Sequence, residues 1–276
     1  MAEAPWLGMA LAAYALAALL AMPVGGPGGV RVQPRVGLAL AVATALHATA
    51  LITRWQSLGH GPFTTMHEIL SSNLWSLALV LVVAWWTVRE VRVALLPAQA
   101  VLAVLALWLP LTDAGPGHLP ATYATPLLYL HTVTGKLFLG LLLVAVALSA
   151  LPLGRRLRSR AVPGPAVDEG AAWPPDRRCD ELAHRFAAYA FVFDTLMLIV
   201  GAVWAQDAWG RYWAWDPLET WAFLTWLALA AALHARAALR PSPAQFGLWL
   251  AGVFVLAFLT FFGVPFLSTT PHQGAV

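Results

Sequence analysis

Eight apolar runs, at about 6–22, 36–53, 74–88, 93–111, 127–153, 186–205, 218–239 and 244–267, alternate along the chain with short polar breaks. As α-helices, runs of this length can cross a hydrocarbon core of roughly 30 Å. The third is short and is expected to begin near Ile69; the fifth is long enough to tilt. The pattern predicts an all-α, polytopic membrane protein with about eight transmembrane helices, forming one domain over residues 1–276 and lying in contact with membrane lipid. Composition supports this, since 60% of the 276 residues are hydrophobic and only 11% are charged, which excludes an ordinary soluble domain.

The arginines set the expected orientation. Thirteen of them (Arg31, Arg35, Arg89, Arg92, Arg155, Arg156, Arg158, Arg160, Arg177, Arg178, Arg185, Arg236 and Arg240) fall in the breaks after runs 1, 3, 5 and 7, against two, Arg54 and Arg211, on the other side. By the positive-inside rule the basic stretch 154–185 is a cytoplasmic loop, read as a disordered connector, and both termini face outward. The net charge of +3 therefore describes topology and gives no reason to expect nucleic-acid binding. MAEAPW lacks a basic n-region, so run 1 reads as a retained helix. One cysteine, Cys179, excludes an internal disulfide, a CxxC redox pair and a CxxCH haem attachment site. There is no GxxxxGK[ST] phosphate loop.

The densest signal is WAQDAWGRYWAWDPLETWAFLTW at 204–226, which holds six of the fourteen tryptophans. Asp216-Pro217-Leu218-Glu219 reads as a helix start with a capping box, which accounts for Asp216 and Glu219 structurally. An interfacial aromatic belt accounts for one or two tryptophans. It does not account for Trp204, Trp209, Trp213, Trp215 and Trp221 together in an outward-facing loop at 204–221. Rigid flat rings gathered this way point to a surface for a large planar apolar ligand.

Several polar residues stand inside or near the spans. His47, about 16 Å above the inner end of the second span, is either a functional histidine or a hydrogen-bonded packing one. His131 lies one turn into the fifth span, level with the tryptophans. Lys136, five residues deeper, must snorkel to the interface or find a carboxylate, either a protein side chain or a ligand's propionate. Asp194 is placed to orient His47 or His234, or to bond another helix. His60 and His67 read as solvated or loop-packing residues. Arg54 suits either an acidic ligand group or lipid headgroups.

WGRYWAWDPLETW resembles the tryptophan-rich WWD signature of the haem-handling proteins of cytochrome c biogenesis, and WAxxAWGxYWxWDPxETW resembles the CcsA (ResC-like) branch in particular. HAR at 234–236 and RWxxxGHGP at 54–62 also resemble that branch. Leu218 departs from it, standing where relatives commonly carry Lys.

The resemblance implies a bacterial cytoplasmic-membrane protein that handles haem b. His131 and His272 would be its outer axial ligands and His234 an inner one, with His47 or a partner supplying the fourth. The tryptophans and Asp216 would surround the macrocycle, and the outward cations Arg54 and Arg211 would meet its propionates. His272 follows Thr269-Thr270-Pro271 where relatives have Gly-Leu. The implied partners are a CcsB (ResB-like) membrane protein and an apocytochrome c with a CxxCH segment. Together they make up a system II cytochrome c synthase, this chain being the subunit that carries and presents haem. The competing readings are a CcmC-like haem exporter, which typically has six spans; a HemX-like haem-binding regulator without the Trp-rich loop; and a transporter or quinone-binding subunit that handles no haem.

Overall fold

A computed structural model describes residues 3–22, 34–161 and 175–267. Among these residues the chain is helical, with no strand: α1 Ala4–Ala21, α2 Pro34–Leu58, α3 Met66–Thr87, α4 Val91–Trp108, a 3₁₀ turn Leu109–Leu111, α5 Pro126–Ala161, α6 Asp176–Trp209, α7 Pro217–Leu239, α8 Pro243–Phe262 and the short α9 Val264–Leu267. Eight of these, α1 to α8, are long and apolar enough to span a membrane. The predicted polytopic all-α class is the observed one.

Helix bounds differ from expectation where capping and packing outweigh hydropathy. α3 starts at Met66, about a turn before the expected start near Ile69, because Thr65 Oγ1 accepts the Glu68 amide at 3.3 Å. The basic stretch at 154–185 is helical at both flanks: α5 continues to Ala161 and α6 already begins at Asp176. On α6 the apolar stripe Cys179, Leu182, Ala183, Ala187 and Ala190 is buried, so a helical period lies beneath the charges that hide it from a hydropathy average. Residues 162–174 fall outside the described residues.

α5 and α6 form an antiparallel pair at the centre, and α5 also packs on α3, α4 and α8. Small residues bring the pair together, as in many membrane helix contacts. A Cβ on Gly135 would lie 2.8 Å from Met197 Sδ, and one on Gly201 would lie 2.7 Å from His131 Nδ1. Ion pairs tie down each end of the bundle. At one end Arg54 is buried and bonds Glu68 at 2.9 Å, Glu3 at 2.5 Å, and the carbonyls of Ala114 and Gly115. It thereby joins α1, α2, α3 and the segment before α5. At the arginine-rich end Arg178 pairs with Glu90 and Arg236 with Asp180.

Candidate functional site

The site is built around the junction between α6 and α7. α6 ends at Gly210, whose φ of 77° is left-handed, with its amide bonded to Gln206 O at 2.9 Å. The chain then crosses to α7, where Asp216 Oδ1 accepts the Glu219 amide at 2.9 Å. Glu219 Oε2 in turn accepts the amides of Ala214 at 2.7 Å and Asp216 at 3.4 Å. The predicted capping box is therefore present, and both carboxylates are committed to the turn. Just before the cap, Trp215 adopts φ 58°, an uncommon conformation for a bulky residue that costs on the order of 1–3 kcal/mol and tends to occur at functional sites. Its ring is 67% exposed.

Beside this junction lies a cavity of about 240 Å³ whose walls include His131, Lys136, Trp204, Trp213 and Glu219. His131 is held in a defined way. Its ring stacks on Trp204, with centroids 6.1 Å apart and planes 11° from parallel, and its Nδ1 donates to Met197 O at 3.0 Å. Because a carbonyl can only accept, the proton sits on Nδ1 and a neutral ring keeps its lone pair on Nε2. Histidines that bind metals are commonly fixed in this manner. Trp204 is held by its own Nε1, which donates to Tyr123 O at 3.3 Å, and by edge contact with Trp209 at 5.0 Å. Trp213 packs edge-on to Trp215 and Phe223.

A histidine with a set tautomer, stacked on one indole and set beside others packed edge to face, suits a flat ligand carrying a metal at its centre. The volume is below the roughly 300–1,000 Å³ of ordinary ligand pockets, so a porphyrin requires the lining to give way.

The other predicted residues are placed as follows. Trp209 and Trp215 back the aromatic walls, and Trp221 and Asp216 belong to the start of α7. None of these four lines the cavity, and neither does Arg211, which is exposed. His47 is fully buried, with Nε2 2.9 Å from Ser71 Oγ and Nδ1 3.3 Å from the Tyr14 hydroxyl. With both ring nitrogens facing hydroxyls, it is placed as the hydrogen-bonded packing histidine, one of its two expected readings. Arg54, expected to meet a propionate, is instead enclosed by Glu3, Glu68 and two carbonyls, away from the cavity wall. Asp194 is fully buried and makes no hydrogen bond to His47 or His234 among the described residues. His234 is exposed on α7. His272 lies outside the described residues. His60 packs in the loop before α3, bonding Gly117 O at 3.2 Å, and His67, in the first turn of α3, bonds Thr112 Oγ1 at 3.2 Å.

Sequence reasoning missed Met197 and Gly201, which position His131, and Ser72 and Asn73, which reach the cavity from α3. A histidine and a glycine on neighbouring spans, with small residues at the seam, is the signal by which the first pair could have been found.

Fold and cavity together define a polytopic helical membrane protein with a histidine-bearing aromatic site near one end. The cytochrome C assembly protein family matches residues 64–272. The cytochrome c biogenesis protein CcsA of Synechococcus sp. (strain RCC307) is 32% identical over 264 residues, covering 87% of this chain and 84% of the relative. CcsA of Prochlorococcus marinus subsp. pastoris (strain CCMP1986 / NIES-2087 / MED4) is 29% identical over 249 residues, covering 82% and 78%. Among solved structures, the cytochrome c haem lyase CcmF aligns with a TM-score of 0.65 at 18% identity, over 99% of this chain and 47% of that one. The chain belongs to the cytochrome C assembly protein family as a CcsA-like member, and its place is in cytochrome c biogenesis.

Proposed function

We propose that this chain receives haem b in the membrane and presents it, at the end bearing the Trp-rich junction, to the CxxCH segment of an apocytochrome c. The observation that carries the reading is His131, its Nδ1 bonded to Met197 O and its ring stacked on Trp204 in the cavity wall. The arginine-rich end faces the cytoplasm of a bacterial inner membrane, so the cavity opens towards the compartment where exported apocytochrome arrives. His131 and His272 hold the iron there, and the tryptophans enclose the macrocycle. Each cysteine thiol of the substrate adds across a vinyl group, forming a C–S and a C–H bond with no external oxidant. The protein's own part is binding, orientation and exclusion of water.

His234, on the exposed face of α7, belongs to an inner station. Because both nitrogens of His47 face hydroxyls, the second ligand of that station comes from a CcsB-like partner. Eight candidate spans and an intact Trp-rich junction favour this reading over a six-span CcmC-like exporter and over a HemX-like regulator.

Co-expression with a CcsB-like partner and a CxxCH-bearing apocytochrome tests the proposal through covalently attached haem on the product. Wild type yields haem-stained cytochrome and His131→Ala yields none. Equal maturation by both would overturn it.

A further inference from the structure

Below the level of His131 the cavity has a polar patch among the apolar side chains of Met197 and Phe261. Lys136 reaches it from α5, Ser72 and Asn73 from α3, and Thr260 from α8. Lys136 Nζ donates to Ser72 Oγ at 2.8 Å, and no carboxylate among the described residues pairs with it. Asn73 Oδ1, sealed from water in the same wall, has no hydrogen-bond partner among the described residues.

Two acids lie close enough in the fold to be considered as counter-charges. Glu219 lines the cavity, but it is bonded to the amides of Ala214 and Asp216. Asp194 lies at nearly the same depth, since Gly135 meets Met197 and His131 meets Gly201 across the α5–α6 seam. Its side chain, however, is fully buried outside the cavity lining. A lone ammonium inside a membrane bundle is expensive unless an anion joins it, and such residues mark ligand pathways.

The position also suits a particular ligand. Lys136 follows His131 by five residues, a rise of about 7.5 Å along α5. Helical side chains lean towards the N-terminus, so its stem tilts back towards His131. A tetrapyrrole held at its central metal by His131 carries acid side chains on its rim, and Lys136, although about 140° round α5 from His131, lines the same cavity.

We propose that Lys136, its ammonium steadied by Ser72, is the carboxylate-binding position for an acid side chain of the porphyrin, taking the part that the sequence suggested for Arg54. This deepens the haem reading above and rests on it.

The test is a spectroscopic titration of the haem-depleted, detergent-purified chain with iron protoporphyrin IX and with its dimethyl ester, which carries no acid groups. Wild type binds the diacid roughly tenfold or more tightly than the diester. Lys136→Met removes that preference by weakening the diacid alone, and Lys136→Arg keeps it. Equal affinities in wild type, or equal weakening of both ligands by Lys136→Met, would overturn the assignment while leaving haem binding intact. Binding of neither porphyrin to wild type would overturn both readings. The wild-type comparison requires no variant, so misfolding of Lys136→Met does not obscure the answer.

Discussion

Gly201 on α6 faces His131 on α5 with no space for a methyl group between them: a Cβ would lie 2.7 Å from Nδ1 and 2.8 Å from Cε1. The glycine lets the imidazole sit flat between Trp204 and the helix while reaching Met197 O. Gly201→Ala forces the ring out of that seat. Overpacking of this kind costs about 1–3 kcal/mol, and loss of the carbonyl bond lowers haem affinity by roughly 10–100-fold. Thermal unfolding and haem titration of the same preparation measure the two effects.

Asp216 separates a capping role from a ligand role. If its function is the bond to the Glu219 amide, Asp216→Ser keeps the cap and Asp216→Ala loses about 0.5–2 kcal/mol. Haem spectra of Asp216→Ser then match wild type. A changed spectrum in the serine variant alongside full stability would show that the carboxylate touches the ligand.

Arg54 is a brace between helices. Replacing it with Met leaves Glu3 and Glu68 buried without their cation, a change that typically costs about 3–5 kcal/mol. A large fall in melting temperature and yield is expected, with unchanged haem affinity in the fraction that folds. Adding Glu68→Gln recovers part of the loss.

At the opposite end, burial raises the Glu90 carboxyl, but the Arg178 hydrogen bond and charge outweigh it and hold the group below the ordinary glutamate range. A depressed acid stabilises the fold above its unfolded value and loses that contribution as pH falls through the folded one. Glu90→Gln therefore costs at most about 1 kcal/mol at neutral pH, because the pair is partly exposed. It also flattens the decline in melting temperature on acidification below the ordinary glutamate range.

The eight spans were legible because long, predominantly apolar runs leave few alternatives, and the capping box because Asp216, Pro217 and Glu219 stand in fixed spacing. The ends of α5 and α6 were not legible. Their charged turns look like loop to a hydropathy average, although Cys179, Leu182 and Ala183 keep the helical stripe buried. Arg54 and His47 were left open between two readings for one reason: a polar residue in a span needs partners, and those partners lie far along the chain, Glu3 at 51 residues for Arg54 and Tyr14 at 33 for His47. His131 was legible through its depth beside the tryptophans. Its fixation by Met197 and Gly201 depends on helix register, which one sequence does not display.

The most direct test of the account is the absorption spectrum and haem-to-protein ratio of the purified wild-type chain beside His131→Ala. The account predicts low-spin bands of a histidine-ligated haem in wild type, with those bands shifted or lost in His131→Ala. A wild-type protein isolated free of haem under haem-replete conditions, or one whose haem spectrum and content are unchanged by His131→Ala, would contradict it.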